Sequence, residues 1–160
     1  DTCSIWIIMF IDQKEYQRIL EIMPVVCIDF FIVYNNRVFL GKRTNQPCKW
    51  EWFVPGWRIQ KWEIQEEVFE RKLFEETGIR PEDISKKFLL GVYDTQFMGN
   101  AFDPDMPTHT INVTYVVELK NELSIQVDSQ HDKFESFPIW WENQLLPYIQ
   151  NLMREYISHT

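Results

Sequence analysis

The chain has 160 residues, a length for one domain, and its 45% hydrophobic and 25% charged content excludes a disordered chain. With 24 acids against 16 bases the net charge is -8, which argues against a broad nucleic-acid or anionic-membrane surface. No apolar run approaches the roughly 20 residues that cross a bilayer.

Residues 1–8 have neither an initiating Met nor a basic flank before Ile5–Ile11, and read as a leader or added segment ahead of one domain over 9–160. From Asp12 the apolar residues Tyr16, Ile19, Leu20 and Met23 recur at helical spacing, with Asp12 as cap and Pro24 as stop. Val25–Val33 is dense in β-branched and aromatic residues, the pattern of a buried strand. Asn35-Asn36 then turns the chain into a second strand over Arg37–Lys42, forming a hairpin. Residues 44–62 form a loop with a short strand inside it, Glu63–Glu76 a helix, and Gly78 its stop. Phe88–Phe97 and Ile111–Leu119 are predicted strands, Gln130–Glu135 lies in a polar loop, and Leu145, Ile149, Leu152, Met153 and Tyr156 mark a last amphipathic helix. Strands alternating with helices in one domain make the class α/β with a mixed sheet.

Charge is distributed unevenly. Residues 42–61 carry five bases (Lys42, Arg43, Lys49, Arg58, Lys61) and one acid, Glu51, whereas residues 63–83 carry eight acids and three bases. A cationic loop feeding an acidic helix suits a phosphorylated substrate bridged by a divalent cation, since arginines clamp anions and carboxylates are hard oxygen ligands. From charge alone a solvated helix face explains the same pattern. Cys3, Cys27 and Cys48 form no CxxC pair and read as structural thiols of a reducing, cytoplasmic setting.

Spacing narrows the choice. Glu63-x7-Arg71-x-Leu73-x-Glu75-Glu76-x-Gly78-Ile79, preceded by FVPG at 53–56, resembles the box GX5EX7REUXEEXGU of the Nudix hydrolases. LGKRTN at 40–45, WFVPG at 52–56, RIQK at 58–61, FER at 69–71 and DSQHD at 128–132 further resemble the GDP-mannose mannosyl hydrolases of that superfamily. The resemblance implies an α/β/α sandwich with the box in a loop–helix element. It implies hydrolysis of a nucleoside diphosphate sugar, GDP-mannose first, with water attacking sugar C1 and GDP leaving. By position, the Gly56 carbonyl, Glu76 and Gln130 would hold one Mg²⁺ (or Mn²⁺), and His131 would be the general base. Arg43 and Arg58 would hold the diphosphate, and Asp29 would orient the site. It further implies a homodimer. Imidazole is the side chain that titrates nearest neutrality, which suits that role.

Other readings stay open at particular residues. An Asp inside an apolar strand needs a partner, and an ion pair with Arg43 would satisfy Asp29 without any catalytic part. Arg71 is expected to organise the helix carboxylates. Lys72 stands where the general box has Glu; its ammonium would pair with Glu76 and repel a second cation. Trp57 occupies the first Gly of the box, and Trp50 and Trp62 also fill loop positions where these enzymes favour Gly or small residues. Glycine is scarce in the whole chain, 5 of 160 against roughly 7% in ordinary proteins, while tryptophan numbers 7. A Trp forced to positive φ at 57 would be strained, and Ile64 replaces a capping Ser or Thr. Thr95 and Thr110 stand in place of a His and a Tyr on the sugar side, so the sugar is not fixed by the resemblance. Two rivals remain: a pyrophosphohydrolase of nucleotide sugars or dinucleotides, and a non-catalytic nucleotide-binding module.

Overall fold

A computed structural model of the protein describes residues 11–100, 102–125, 131–141 and 143–160. The expected leader over 1–8 and the expected metal ligand Gln130 lie outside the described residues. The chain runs α1 (Gln13–Ile22), β1 (Val25–Tyr34), β2 (Arg37–Arg43), β3 (Trp52–Phe53), β4 (Gly56–Arg58) and α2 (Gln65–Thr77). A 3₁₀ turn at Pro81–Asp83 leads to β5 (Ile84–Phe97), β6 (Thr108–Leu119), β7 (His131–Pro138) and α3 (Pro147–His159). One mixed sheet has the order β3-β2-β1-β6-β5, with β4 added to β1 and β7 to β2. β1 and β6 are parallel, and the other pairs are antiparallel.

The central strand β1 is buried on both faces, which explains its unbroken apolar run. Ile28, Phe30 and Ile32 pack with Val68, Phe69 and Leu73 of α2, while Phe31 and Val33 pack with Ile149, Leu152 and Met153 of α3. Helices therefore cover both faces, and the architecture is an α/β/α sandwich. No helix among the described residues is long and apolar enough to cross a membrane.

Local signals were mostly accurate. Asp12 caps α1 by accepting from the Lys14 and Glu15 amides at 2.8 and 3.2 Å. Asn35 and Asn36 both take positive φ in the hairpin turn, as a tight β-turn of this kind demands. Gly78 ends α2 at φ 75, and Ile64 offers α2 no side-chain cap. Three expectations change. The polar stretch from His131 is the edge strand β7, because pairing to β2 satisfies its backbone while Asp132, Lys133 and Glu135 face solvent. Glu63 precedes the helix, which starts at Gln65. Trp57 lies extended in β4; the tryptophans with left-handed backbone are Trp50 (φ 69) and Trp62 (φ 73), alongside Asn35, Asn36, Cys48 and Gln144.

Candidate functional site

Where β4 joins β1, Asp29 pairs with Gly56 and Cys27 with Arg58 across antiparallel strands. The approach is close. A Cβ on residue 56 would collide with Asp29 Oδ1 and lie 2.7 Å from the Ile28 carbonyl oxygen, so only glycine fits. This junction forms one wall of a cavity of about 390 Å³, closed by Tyr16 and Leu20 of α1, by Phe97 of β5, and by the loop following Arg43. Asp29, Arg43, Gly56 and Arg58 all line it, so four residues singled out from the sequence meet here.

The cavity floor is a chain of buried hydrogen bonds. Asp29 Oδ2 accepts from Asn112 Nδ2 and from the Tyr148 hydroxyl, each at 2.7 Å. Asn112 Oδ1 in turn accepts from Thr110 at 2.7 Å and Thr95 at 3.1 Å. Thr114 lies 2.9 Å from the Tyr148 hydroxyl. The expected Arg43 ion pair is thus not what satisfies Asp29: two neutral donors do, and Arg43 acts on it through its charge. Burial pushes the Asp29 carboxyl up to about 6, against the lowering effect of Tyr148, Asn112 and Arg43. Thr95 and Thr110 serve this network. Burial likewise pushes Cys27 and Cys48 up to about 12, keeping both thiols protonated as structural groups.

The arginines are held by their surroundings. Arg43 Nε donates to the Pro47 carbonyl at 2.7 Å and Nη2 to Asn45 Oδ1 at 3.2 Å. Arg58 stacks over Tyr16, its guanidinium carbon 4.9 Å from the ring centre. Both face the cavity, and a planar guanidinium fixed in this way suits an anion.

The box helix lies beyond Gly56, on the other side of β4. Arg71 bridges Glu63 and Glu75, the organising part expected of it. Lys72 is only 8% exposed; its Nζ is 2.7 Å from Glu75 Oε2 and 4.1 Å from the Trp57 ring centre. The expected Lys72–Glu76 pair is thus replaced by Lys72–Glu75, because one helical turn sets the ammonium between the Trp57 ring and the carboxylate three residues on. Burial raises the Glu75 carboxyl, but its Lys72 and Arg71 partners outweigh this and hold it below the usual range. Glu76 is buried on the same helix.

His131 and Glu76 do not line the cavity. His131 opens β7 directly across from Arg43 on β2, is buried, and packs against Phe134 and Gly41. A Cβ on Gly41 would lie 2.7 Å from its Cγ, so this imidazole requires glycine at 41. Among the described residues no three His, Cys, Asp or Glu side chains form a metal cluster. A single Mg²⁺ does not need one, since it is bound by one or two carboxylates with waters and substrate phosphate completing its shell. Glu76 and the Gly56 carbonyl are hard oxygen donors of the type such an ion takes, and the buried Lys72 ammonium disfavours a second cation nearby.

Sequence reasoning overlooked Tyr148, Asn112 and Tyr16 as site residues. Asn112 was findable as a buried amide inside the apolar run INVTYVV; Tyr148 and Tyr16 carry no signal beyond helical periodicity.

A model of the NUDIX domain matches residues 23–159. The chain is 27% identical over 143 residues to the low-salt glycan biosynthesis protein Agl8 of Haloferax volcanii, covering 89% of this chain and 88% of that one. It is 33% identical over 124 residues to an ADP-ribose pyrophosphatase of Methanocaldococcus jannaschii, covering 77% and 67% respectively. Among solved structures, a MutT NUDIX hydrolase from Burkholderia pseudomallei aligns with TM-score 0.65 at 23% identity, over 83% of this chain and 98% of that chain. The NUDIX domain of Shewanella oneidensis NrtR, crystallised with ADP ribose, aligns with TM-score 0.63 at 18% identity, over 93% and 99%. At these identities the structural likeness speaks for the fold.

Proposed function

The chain belongs to the Nudix family, and from that premise we propose that it hydrolyses a nucleoside diphosphate sugar, GDP-mannose or a related GDP-sugar, to the nucleoside diphosphate and free sugar. Lys72 carries this reading. Its buried ammonium stands on the box helix where a multi-metal phosphoryl-transfer site needs another carboxylate, and a two-metal clamp is one established means of in-line attack at phosphorus. One cation suffices when the diphosphate only has to leave.

The nucleoside occupies the cavity beside Tyr16, and Arg43 and Arg58 at its wall grip the diphosphate. The sugar lies toward the box helix and β7. There His131, across the strand pair from Arg43, takes the proton of a water that attacks C1 with inversion. Asp29 keeps Gly56 in register and holds the cavity floor. Mg²⁺, held by the Gly56 carbonyl and Glu76 with Gln130, would neutralise charge on the departing diphosphate. The enzyme works as a cytoplasmic homodimer.

A second reading, pyrophosphohydrolysis, is favoured by the 33% identity to an ADP-ribose pyrophosphatase. Incubation with GDP-mannose and Mg²⁺ in ¹⁸O-water separates the two. GDP with labelled mannose is expected; GMP with mannose 1-phosphate would move the reaction to phosphorus, and no turnover across a nucleotide panel would leave a binding module.

A further inference from the structure

Among the described residues the tryptophans differ in setting, and Trp140 is 73% exposed on a backbone outside the left-handed region. Trp52 and Trp141 pack on Phe137, with ring centres 4.9 and 5.3 Å away, and lie half-buried against the core. Trp50 and Trp62 do the opposite. They are 57% and 88% exposed, and their backbones sit in the left-handed region at φ 69 and 73. Their ring contacts are cation–π contacts with the preceding lysines, Lys49 and Lys61, at 5.2 and 5.4 Å. A bulky residue is a genuine outlier there, and an exposed ring with one lysine contact recovers little of the cost. Elsewhere the chain meets this backbone with Gly78, Gly99, Asn35 and Asn36, which tolerate it, and with the smaller side chains of Cys48 and Gln144.

Trp57 offends differently. Its indole Nε1 is buried with no hydrogen-bond partner among the described residues, although its ring takes a cation–π contact from the Lys72 ammonium at 4.1 Å. Buried indole N–H groups normally find an acceptor. All three misfits lie within 13 residues of one loop, in a chain with 5 glycines where roughly 7% of residues is ordinary, and with 7 tryptophans.

A single cause accounts for the misfits and narrows both the glycine deficit, from 5 to 8 residues, and the tryptophan excess, from 7 to 4. We infer that positions 50, 57 and 62 are glycine positions, encoded by UGA codons that the source cell decodes as glycine, whereas Trp52 and Trp141 are encoded by UGG. Variant genetic codes read UGA as either amino acid, so one codon can stand for both residues at several positions at once. Glycine at 50 and 62 relieves the left-handed strain. Glycine at 57 removes the orphaned indole and uncovers the Lys72 ammonium beside the Gly56 junction. The inference holds whichever bond the enzyme cleaves.

Three measurements test it. In the gene, UGA is expected at 50, 57 and 62 and UGG at 52 and 141; UGG at any of the three withdraws that position. In protein isolated from its source, the tryptic peptide 50–58 carries Trp52 as an internal control, and sequencing it by mass spectrometry should find glycine at 50 and 57; tryptophan there overturns the decoding. In recombinant protein, the triple variant Trp50→Gly/Trp57→Gly/Trp62→Gly should melt roughly 5–10 °C higher than the tryptophan form, from the strain relieved. Trp52→Gly should melt lower. A triple variant that melts no higher would show that the loop is built for tryptophan.

Discussion

Tyr148 of α3 donates its hydroxyl hydrogen to Asp29 of β1 at 2.7 Å, tying the last helix to the middle of the central strand across 119 residues of sequence. The same carboxylate abuts Gly56 and lines the cavity. One buried acid thus links the α3 packing layer to the glycine that the proposed metal site depends on. Removing the hydroxyl in Tyr148→Phe leaves an ionised Asp29 short of one donor. A loss of about 1.5–3 kcal/mol at neutral pH is expected, the usual worth of a hydrogen bond to a charged group. Urea unfolding measures it, and an unchanged midpoint would mean that water replaces the phenol.

Asp29 also sets a pH dependence. Its native carboxyl is raised to about 6 from an ordinary 3.8, so between these values the folded state binds more protons than the unfolded one. Stability from this group is full below about pH 4 and is lost as pH rises toward 6. Asp29→Asn can still accept both hydrogen bonds without ionising, so its melting temperature should fall less over that interval than that of the parent. Parallel curves would place the titration elsewhere.

Glu75 and Glu76 are adjacent but not equivalent. Glu75 is held by Lys72 at 2.7 Å and Arg71 at 3.3 Å, whereas Glu76 is the buried carboxylate proposed for the metal. Glu76→Gln should weaken Mg²⁺ binding at least tenfold, and Glu75→Gln should leave it within about twofold, since one direct charged ligand is worth more than about 1.4 kcal/mol. Isothermal titration with Mn²⁺ reads both, and equal losses would require a second carboxylate ligand.

Lys72 should limit the metal count. Lys72→Glu exchanges an ammonium for a carboxylate beside Glu75 and Glu76, and frees Glu75 from its ion pair. The variant is expected to bind two Mn²⁺ where the parent binds one, counted by electron paramagnetic resonance. A count that stays at one would remove the charge argument for single-metal chemistry.

His131 is proposed to act on water and not on the nucleotide. His131→Gln should lower kcat by about 10²–10⁴, the usual contribution of a positioned base. GDP affinity should stay nearly unchanged, because the arginines hold the diphosphate. Full activity in the variant excludes this residue as base. A matching loss of GDP affinity would instead assign it to binding, consistent with its place opposite Arg43.

What the sequence determined by itself was local. Asp12, Asn35-Asn36 and Gly78 punctuate the chain through their own backbone preferences, and the apolar run of β1 and the 3.6-residue stripe of α3 follow from burial. The box spacing from Glu63 to Ile79 was legible because one helix carries its fixed positions at set intervals. Polar β7 was not legible, since its order comes from the edge of β2 and not from an apolar face. Tertiary structure alone decided which partners the charged groups took. Asp29 found Tyr148 and Asn112 instead of Arg43, and Lys72 found Glu75 and the Trp57 ring instead of Glu76. It also moved the backbone outlier from Trp57 to Trp50 and Trp62. A buried charge settles on whichever donor or acceptor packing brings within about 3 Å, and that distance is set by contacts between strands and helices far apart in the chain.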